Sequence, residues 1–167
     1  MNNAIKARRS IRKFDPGVPV TTDQLKQLLE AAMLAPSAHN ARPWEFIAVT
    51  NREMLDKIPQ IHPFAKMCQT ATAAIIVVAA PQTEISEQFF PQDCAAAVQN
   101  ILLEAVELGL GTCWCGVYPR ERRMADIGKL FGIAPPKIPF AIIAVGLPDE
   151  SPAQRGFYEE SKVTFIG

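Results

Sequence analysis

No stretch of this 167-residue chain stays apolar for the ~18 residues a membrane span needs; the longest such run, Ala73 to Pro81, has the length of a strand. The first residues hold no apolar leader core, so a cytoplasmic protein without a membrane segment is expected. Histidine is scarce, with only His39 and His62, and the four cysteines, Cys68, Cys94, Cys113 and Cys115, follow no metal-site or disulfide-framework spacing. Cys113-x-Cys115 lacks the two-residue spacer of a redox dithiol, so all four thiols read as reduced and buried, and no metal is expected. Net charge is missing too: 17 basic residues balance 17 acidic ones, which argues against a nucleic-acid partner. The Gly-x-Gly-x-x-Gly fingerprint of dinucleotide sites is absent, since the glycines of the nearest candidate stretch fall at 109, 111 and 116.

Apolar residues, by contrast, are plentiful. The chain is 49% hydrophobic and 20% charged, which is apolar for one domain of this size. With no repeat, low-complexity tract or linker, residues 1–167 read as a single domain. The apolar surplus either feeds its core or covers a second copy of the chain.

Periodicity places the elements. Thr21 to Leu34 predicts a helix, with Thr21 and Gln24 as a capping box and Leu25, Leu28, Leu29 and Ala32 as its buried stripe. Strands are expected at 44–50, 73–80 and 140–147; the second, a continuous β-branched run, suits a strand covered on both faces. Shorter helices are expected near the N-terminus, through Arg9, at 51–58, and at 120–131 with Gly132 as a stop. A long helix is expected over 92–108, followed by a glycine-containing turn, Gly109-Leu110-Gly111-Thr112-Cys113-Trp114-Cys115-Gly116. The tail is polar until a strand-like tip at Val163-Thr164-Phe165-Ile166.

Three stretches carry chemistry. Arg8, Arg9, Ser10 and Arg12 crowd three guanidinium groups and a hydroxyl into five residues, a set that matches phosphate in charge and geometry. A solvated basic tail is the alternative, although Ile5, Ile11 and Phe14 could anchor the segment to the body of the protein. Pro36-Ser37-Ala38-His39-Asn40-Ala41-Arg42-Pro43-Trp44 joins a helix to a strand through a stiff, polar loop. It reads either as an ordinary capped turn or as a holder for a flat polar ligand. The glycines at 109, 111 and 116 would let backbone approach such a ligand closely.

In this order the three stretches, with Gln99-Asn100-Ile101-Leu102-Leu103 between them, resemble the FMN-dependent nitroreductase family across nearly the whole chain. The resemblance implies an α+β fold: a mostly antiparallel central sheet flanked by helices, in a homodimer that exchanges its C-terminal strand. It implies FMN at the subunit interface and NADH or NADPH as electron donor, with ping-pong reduction of a nitroaromatic, quinone or similar small molecule. Arg8, Arg9, Ser10 and Arg12 match the residues that hold the phosphate, ribityl chain and pyrimidine edge of FMN. Pro36, Ser37, Ala38 and Asn40 match the loop that packs on the flavin from the other subunit. Trp114, Cys115 and Gly116 match the segment beside the ring near N5, and Arg155, with Lys162 second, is the candidate C-terminal contact to the phosphate. No protein acid or base is implied. The same fold with FMN also supports dehalogenation, azoline oxidation or flavin destruction, and a flavin-binding protein without turnover is the non-enzymatic alternative. The chain departs from the family pattern at Ala38, where a second serine is usual, and its loss forgoes a bond worth about 1 kcal/mol net. Arg42 replaces a frequent glutamine, and Gly116 stands where some members carry an acid.

Overall fold

The structure, a computed structural model, describes residues 3–167. Two apolar strands at its centre divide their side chains between two cores. In β3 (Ala73–Ala79), Ala73, Ile75, Val77 and Ala79 face one core while Ala74, Ile76 and Val78 face the other. In β5 (Ile138–Pro148), Ala141, Ile143 and Val145 join the first, and Ile142 and Ala144 the second. With both faces covered, these strands need apolar residues at every position, which is why they read as unbroken runs.

β3 pairs with β2 (Trp44–Val49) on one side and β5 on the other. β5 also pairs with β4 (Gly111–Gly116) and, at its end, with the two-residue β1 (Phe14–Asp15). Every one of these pairings is antiparallel. The β3–β5 register slips between Val77 and Val78, where Pro139 of β5 offers no amide to the ladder. α2 (Thr22–Met33) and α4 (Glu84–Glu107) cover the first face through Leu25, Leu28, Ala32, Cys94, Val98, Ile101 and Ala105. α3 (Arg52–Ile61) and α5 (Glu121–Phe131) cover the second through Leu55, Ile58 and Ile127. This is the expected α+β arrangement of an antiparallel sheet flanked by helices. The Thr21–Gln24 capping box forms as expected, and α5 ends at Gly132 with φ +67°.

Several expectations are corrected. α4 starts at Glu84 rather than Gln92, because the Thr83 side chain accepts from Ser86 N and caps a helix that then runs through Pro91. Within the helix Pro91 forgoes only one hydrogen bond, so it does not stop the chain. α3 likewise runs through Pro59 to Ile61. Residues 111–116 are a strand, not a turn. The first helix, α1 (Asn3–Ala7), stops short of the arginines. The tail forms no strand within this chain: beyond Pro148 its only regular piece is a 3-10 turn over Glu160–Lys162.

Candidate functional site

α1 ends at Ala7, with Arg8 N still bonded to the Ala4 carbonyl at 2.8 Å, and the chain then meets the start of β4 at Ser10 and Ile11. Ser10 bridges Thr112, and Ile11 N donates to the Thr112 carbonyl at 2.9 Å. Ile11 and Phe14 are buried in the second core and fix the segment, so it is no free tail. Gly111 makes this approach possible: a Cβ there would sit 2.9 Å from Ile11 Cγ1 and 3.0 Å from Ile11 Cβ. The glycine serves the chain's own N-terminal segment rather than a ligand.

The far end of β5 closes the other side. Asp149 N donates to the Lys13 carbonyl at 2.9 Å, and the Glu150 carboxylate accepts from the backbone amides of Arg12 and Lys13. Between the two segments lies a cavity of about 300 Å³ lined by Arg8, Arg9, Ser10, Arg12, Glu150, Pro152, Ala153 and Arg155. Four guanidinium groups face one carboxylate, and an oxygen of that carboxylate is already engaged by two amides. Arg9 Nη1 donates to the carbonyls of Lys6, at 2.7 Å, and Arg8, while its Nε is buried with no partner. A buried, unpartnered guanidinium nitrogen on the wall of a cationic cavity fits an anionic ligand group. A second cavity of about 350 Å³ shares Arg9, Glu150 and Pro152 and continues over Leu110, Gly111 and Thr112. Lys162 lines neither; it pairs with Glu159 at 2.8 Å.

Further along β4, side chains alternate. Trp114 turns outward, 37% exposed, with its ring 6.3 Å from that of Phe140. Cys113 and Cys115 turn inward. The neighbouring Cys113 thiol, and then burial, push Cys115 up, whereas the Cys115 thiol lowers Cys113; Cys115 Sγ itself donates to the Phe64 carbonyl at 3.4 Å. Burial pushes Cys68 and Cys94 up to about 12. The strand ends at Gly116, whose carbonyl accepts from His62 Nε2 at 2.9 Å and from Arg123 Nη1 at 3.1 Å.

The Pro36–Trp44 loop is pinned from several sides. Ser37 Oγ accepts from Arg42 N at 2.9 Å, and Ala38 N donates to Asp93 Oδ1 of α4 at 3.0 Å. His39, Asn40 and Arg42 take φ of 52°, 54° and 50°, a left-handed conformation disfavoured for residues with a Cβ. Asn and His take this conformation readily in turns, so the strain falls mainly on Arg42. Neither arginine-lined cavity includes Pro36, Ser37, Ala38 or Asn40. One chain therefore joins the arginines to β4 and Arg155, and holds the loop elsewhere.

The sequence did not single out Glu150, Asp93 or Arg123, and it weighed His62 only as a zinc ligand. All four act through backbone groups, those of Glu150, Asp93 and His62 more than fifty residues away and that of Arg123 seven residues away, and the sequence carries no local pattern for such bonds. Among the described residues, no cluster of three or more His, Cys, Asp or Glu could hold a metal, and no helix is long and apolar enough to cross a membrane.

A sequence model of the nitroreductase family matches residues 5–70 and 60–147. A protein of Methanothermobacter thermautotrophicus, provisionally named NADH dehydrogenase/NAD(P)H nitroreductase, is 48% identical over 161 residues, 96% of this chain and 83% of its own length. A crystal structure from Parabacteroides distasonis under the same provisional name superposes with a TM-score of 0.92 at 35% identity, covering 99% of this chain and 96% of that one. An FMN-dependent nitroreductase of Clostridium difficile gives 0.89 at 31% identity, covering 100% and 99%.

Proposed function

The chain belongs to the nitroreductase family, and on that premise we propose that it is an FMN-dependent oxidoreductase that uses NADH or NADPH to reduce a small-molecule acceptor such as a nitroaromatic or a quinone. The observation that carries the reading is the cavity where Arg8, Arg9, Ser10, Arg12 and Arg155 converge, with Arg9 Nε buried and unpartnered. Cations fixed by backbone pairing suit a dianionic phosphate, and Ser10 adds a directional bond. When bound, FMN supplies the redox chemistry, accepting a hydride from the donor and passing electrons to the acceptor.

The protein's part is to bind and orient. Arg8, Arg9 and Arg12 hold the phosphate end and favour negative charge near it. Gly116, its carbonyl engaged by His62 and Arg123, presents backbone rather than a side chain at the end of β4. Pro36, Ser37, Ala38 and Asn40 complete the site from a second copy of the chain. A homodimer is supported by the separation of this loop from the arginines and by the exposed Leu34, Phe157, Phe165 and Ile166. The tail is the segment that crosses. Residues 1–167 act as one FMN-binding domain, in the cytoplasm. The test is an absorption spectrum of the purified protein. Flavin bands, and bleaching on adding NADH or NADPH, are expected; protein that stays colourless after incubation with FMN overturns the reading.

A further inference from the structure

A larger arginine-lined cavity lies away from the phosphate end. It holds about 630 Å³ between the end of α3 and the start of α5, lined by Gln60, Ile61, Pro63, Arg120, Arg122, Arg123 and Asp126. Three guanidinium groups face a single carboxylate there. That carboxylate meets only Arg122, at 3.8 Å, and the Arg122 side chain is 96% exposed. Arg120 and Arg123 form no ion pair among the described residues. One carboxylate at 3.8 Å leaves three guanidinium groups under-neutralised, an excess of positive charge that an anion would relieve.

Two contacts tie this cavity to the site. Arg123 Nη1 donates to the Gly116 carbonyl at 3.1 Å, so the cavity wall touches the end of β4 itself. Arg123 also lies over the Phe64 ring, 5.2 Å from guanidinium carbon to centroid. Phe64 is 68% exposed and offers a flat apolar surface beside Arg123. A ring beside unpaired cations suits an anion attached to a heterocycle better than a bare inorganic ion.

We propose that the Arg120–Arg122–Arg123 cavity seats phosphate groups of the nicotinamide dinucleotide donor while its nicotinamide lies at the Gly116 end of β4. This rests on the reading of the chain as an NAD(P)H oxidoreductase. The pyrophosphate and the 2′-phosphate of such a donor share the chemistry required, and the probes below separate them.

The test is titration of FMN-loaded protein with two redox-inactive fragments, ADP-ribose and 2′-phospho-ADP-ribose. Wild type is compared with the Arg120→Ala/Arg122→Ala double variant, whose changes lie on the surface and spare Arg123. Weakening of about tenfold or more is expected, the loss of one charge-assisted contact at the least, together with a smaller salt dependence and unchanged FMN content. Loss for both fragments assigns the pyrophosphate to the cavity, and loss for the 2′-phosphorylated fragment alone assigns the 2′-phosphate. In turnover, KM for the donor rises while KM for the acceptor holds. Equal affinities in wild type and variant, or no binding of either fragment to yellow wild-type protein, overturn the proposal. Failure of the underlying reading shows differently, as protein that never takes up FMN.

Discussion

His62 Nε2 and the Gly116 carbonyl meet at 2.9 Å, joining the end of α3 to the end of β4. A carbonyl only accepts, so Nε2 carries the proton and the buried Nδ1 is left without a partner. The side chain is 1% exposed, which makes the bond expensive to lose. Because Arg123 still serves the carbonyl, His62→Leu is expected to cost about 0.5–1.5 kcal/mol, the net worth of one hydrogen bond. Arg123→Ala, which removes the exposed bond to the same oxygen, is expected to cost less. Urea unfolding of both variants measures the difference, and equal losses would deny His62 the larger share.

Gly111 sets the position of the arginine segment. An alanine there would place Cβ 2.9 Å from Ile11 Cγ1 and 3.0 Å from Ile11 Cβ, and Ile11 is held by its amide bond to Thr112. Overpacking of this kind costs about 1–3 kcal/mol. Gly111→Ala is expected to lower FMN affinity more than it lowers stability, because Arg8, Arg9, Ser10 and Arg12 move with the displaced segment. Fluorescence titration with FMN, set beside thermal unfolding, separates the two losses. Unchanged affinity in a destabilised protein would contradict it.

Arg8, Arg12 and Arg155 line one cavity, whereas Lys162 is held by Glu159 outside it. Each of Arg8→Ala, Arg12→Ala and Arg155→Ala is expected to raise the FMN dissociation constant about ten- to a hundredfold, from 1.5–3 kcal/mol per charged hydrogen bond. Lys162→Ala is expected to leave it unchanged. Reversal of the last two results would transfer the C-terminal phosphate contact to Lys162.

The parts legible beforehand were those with local causes. Leu25, Leu28 and Ala32 repeat at helical spacing, Thr21 and Gln24 form their box within one turn, and Gly132 stops α5 in the conformation that glycine favours. Proline misled at Pro91 and Pro59, since each sits where one lost amide does not end a helix that is anchored by Thr83 or Asn51. The three glycines of Gly109 to Gly116 suggest a turn, yet Gly111–Gly116 forms β4 because β5 supplies a partner far away in sequence. In the site, Arg8 to Arg12 were visible as a charge cluster. Glu150, which accepts two amides 137 and 138 residues distant, leaves no local mark.

Arg42 holds φ at 50° for the loop's sake, and its side chain makes only a 3.5 Å contact to the Met33 carbonyl. Left-handed backbone costs a residue with a Cβ about 1–2 kcal/mol, and glycine escapes that cost. Its own greater chain entropy offsets part of the gain. Arg42→Gly is therefore expected to raise the melting temperature by about 2–4 °C, the shift that 1 kcal/mol gives at this size. The bond from residue 42 N to Ser37 Oγ is retained. Differential scanning calorimetry decides it, and a lowered melting temperature would show that the Arg42 side chain outweighs the strain.

Cys68 and Cys94 give the protein an alkaline limit. Burial raises both thiols from 9.0 to about 12 in the folded chain. Between these values the unfolded chain releases protons that the folded chain retains, so the unfolded state binds fewer and stability falls as pH rises. Below pH 9 neither thiol contributes to the slope, and near 12 the contribution is complete. Each thiol adds a slope of up to about 1.4 kcal/mol per pH unit. Cys94→Ala lowers stability at pH 8, because the Sγ packed near the Pro43 carbonyl is lost. It also removes one of the two titrations, so its stability falls less steeply between pH 9 and 11 than that of the wild type. Urea unfolding at pH 8, 9.5 and 10.5 separates the constant packing loss from the change in slope. Parallel curves for the two proteins would mean that ionisation of Cys94 is not what opposes folding at high pH.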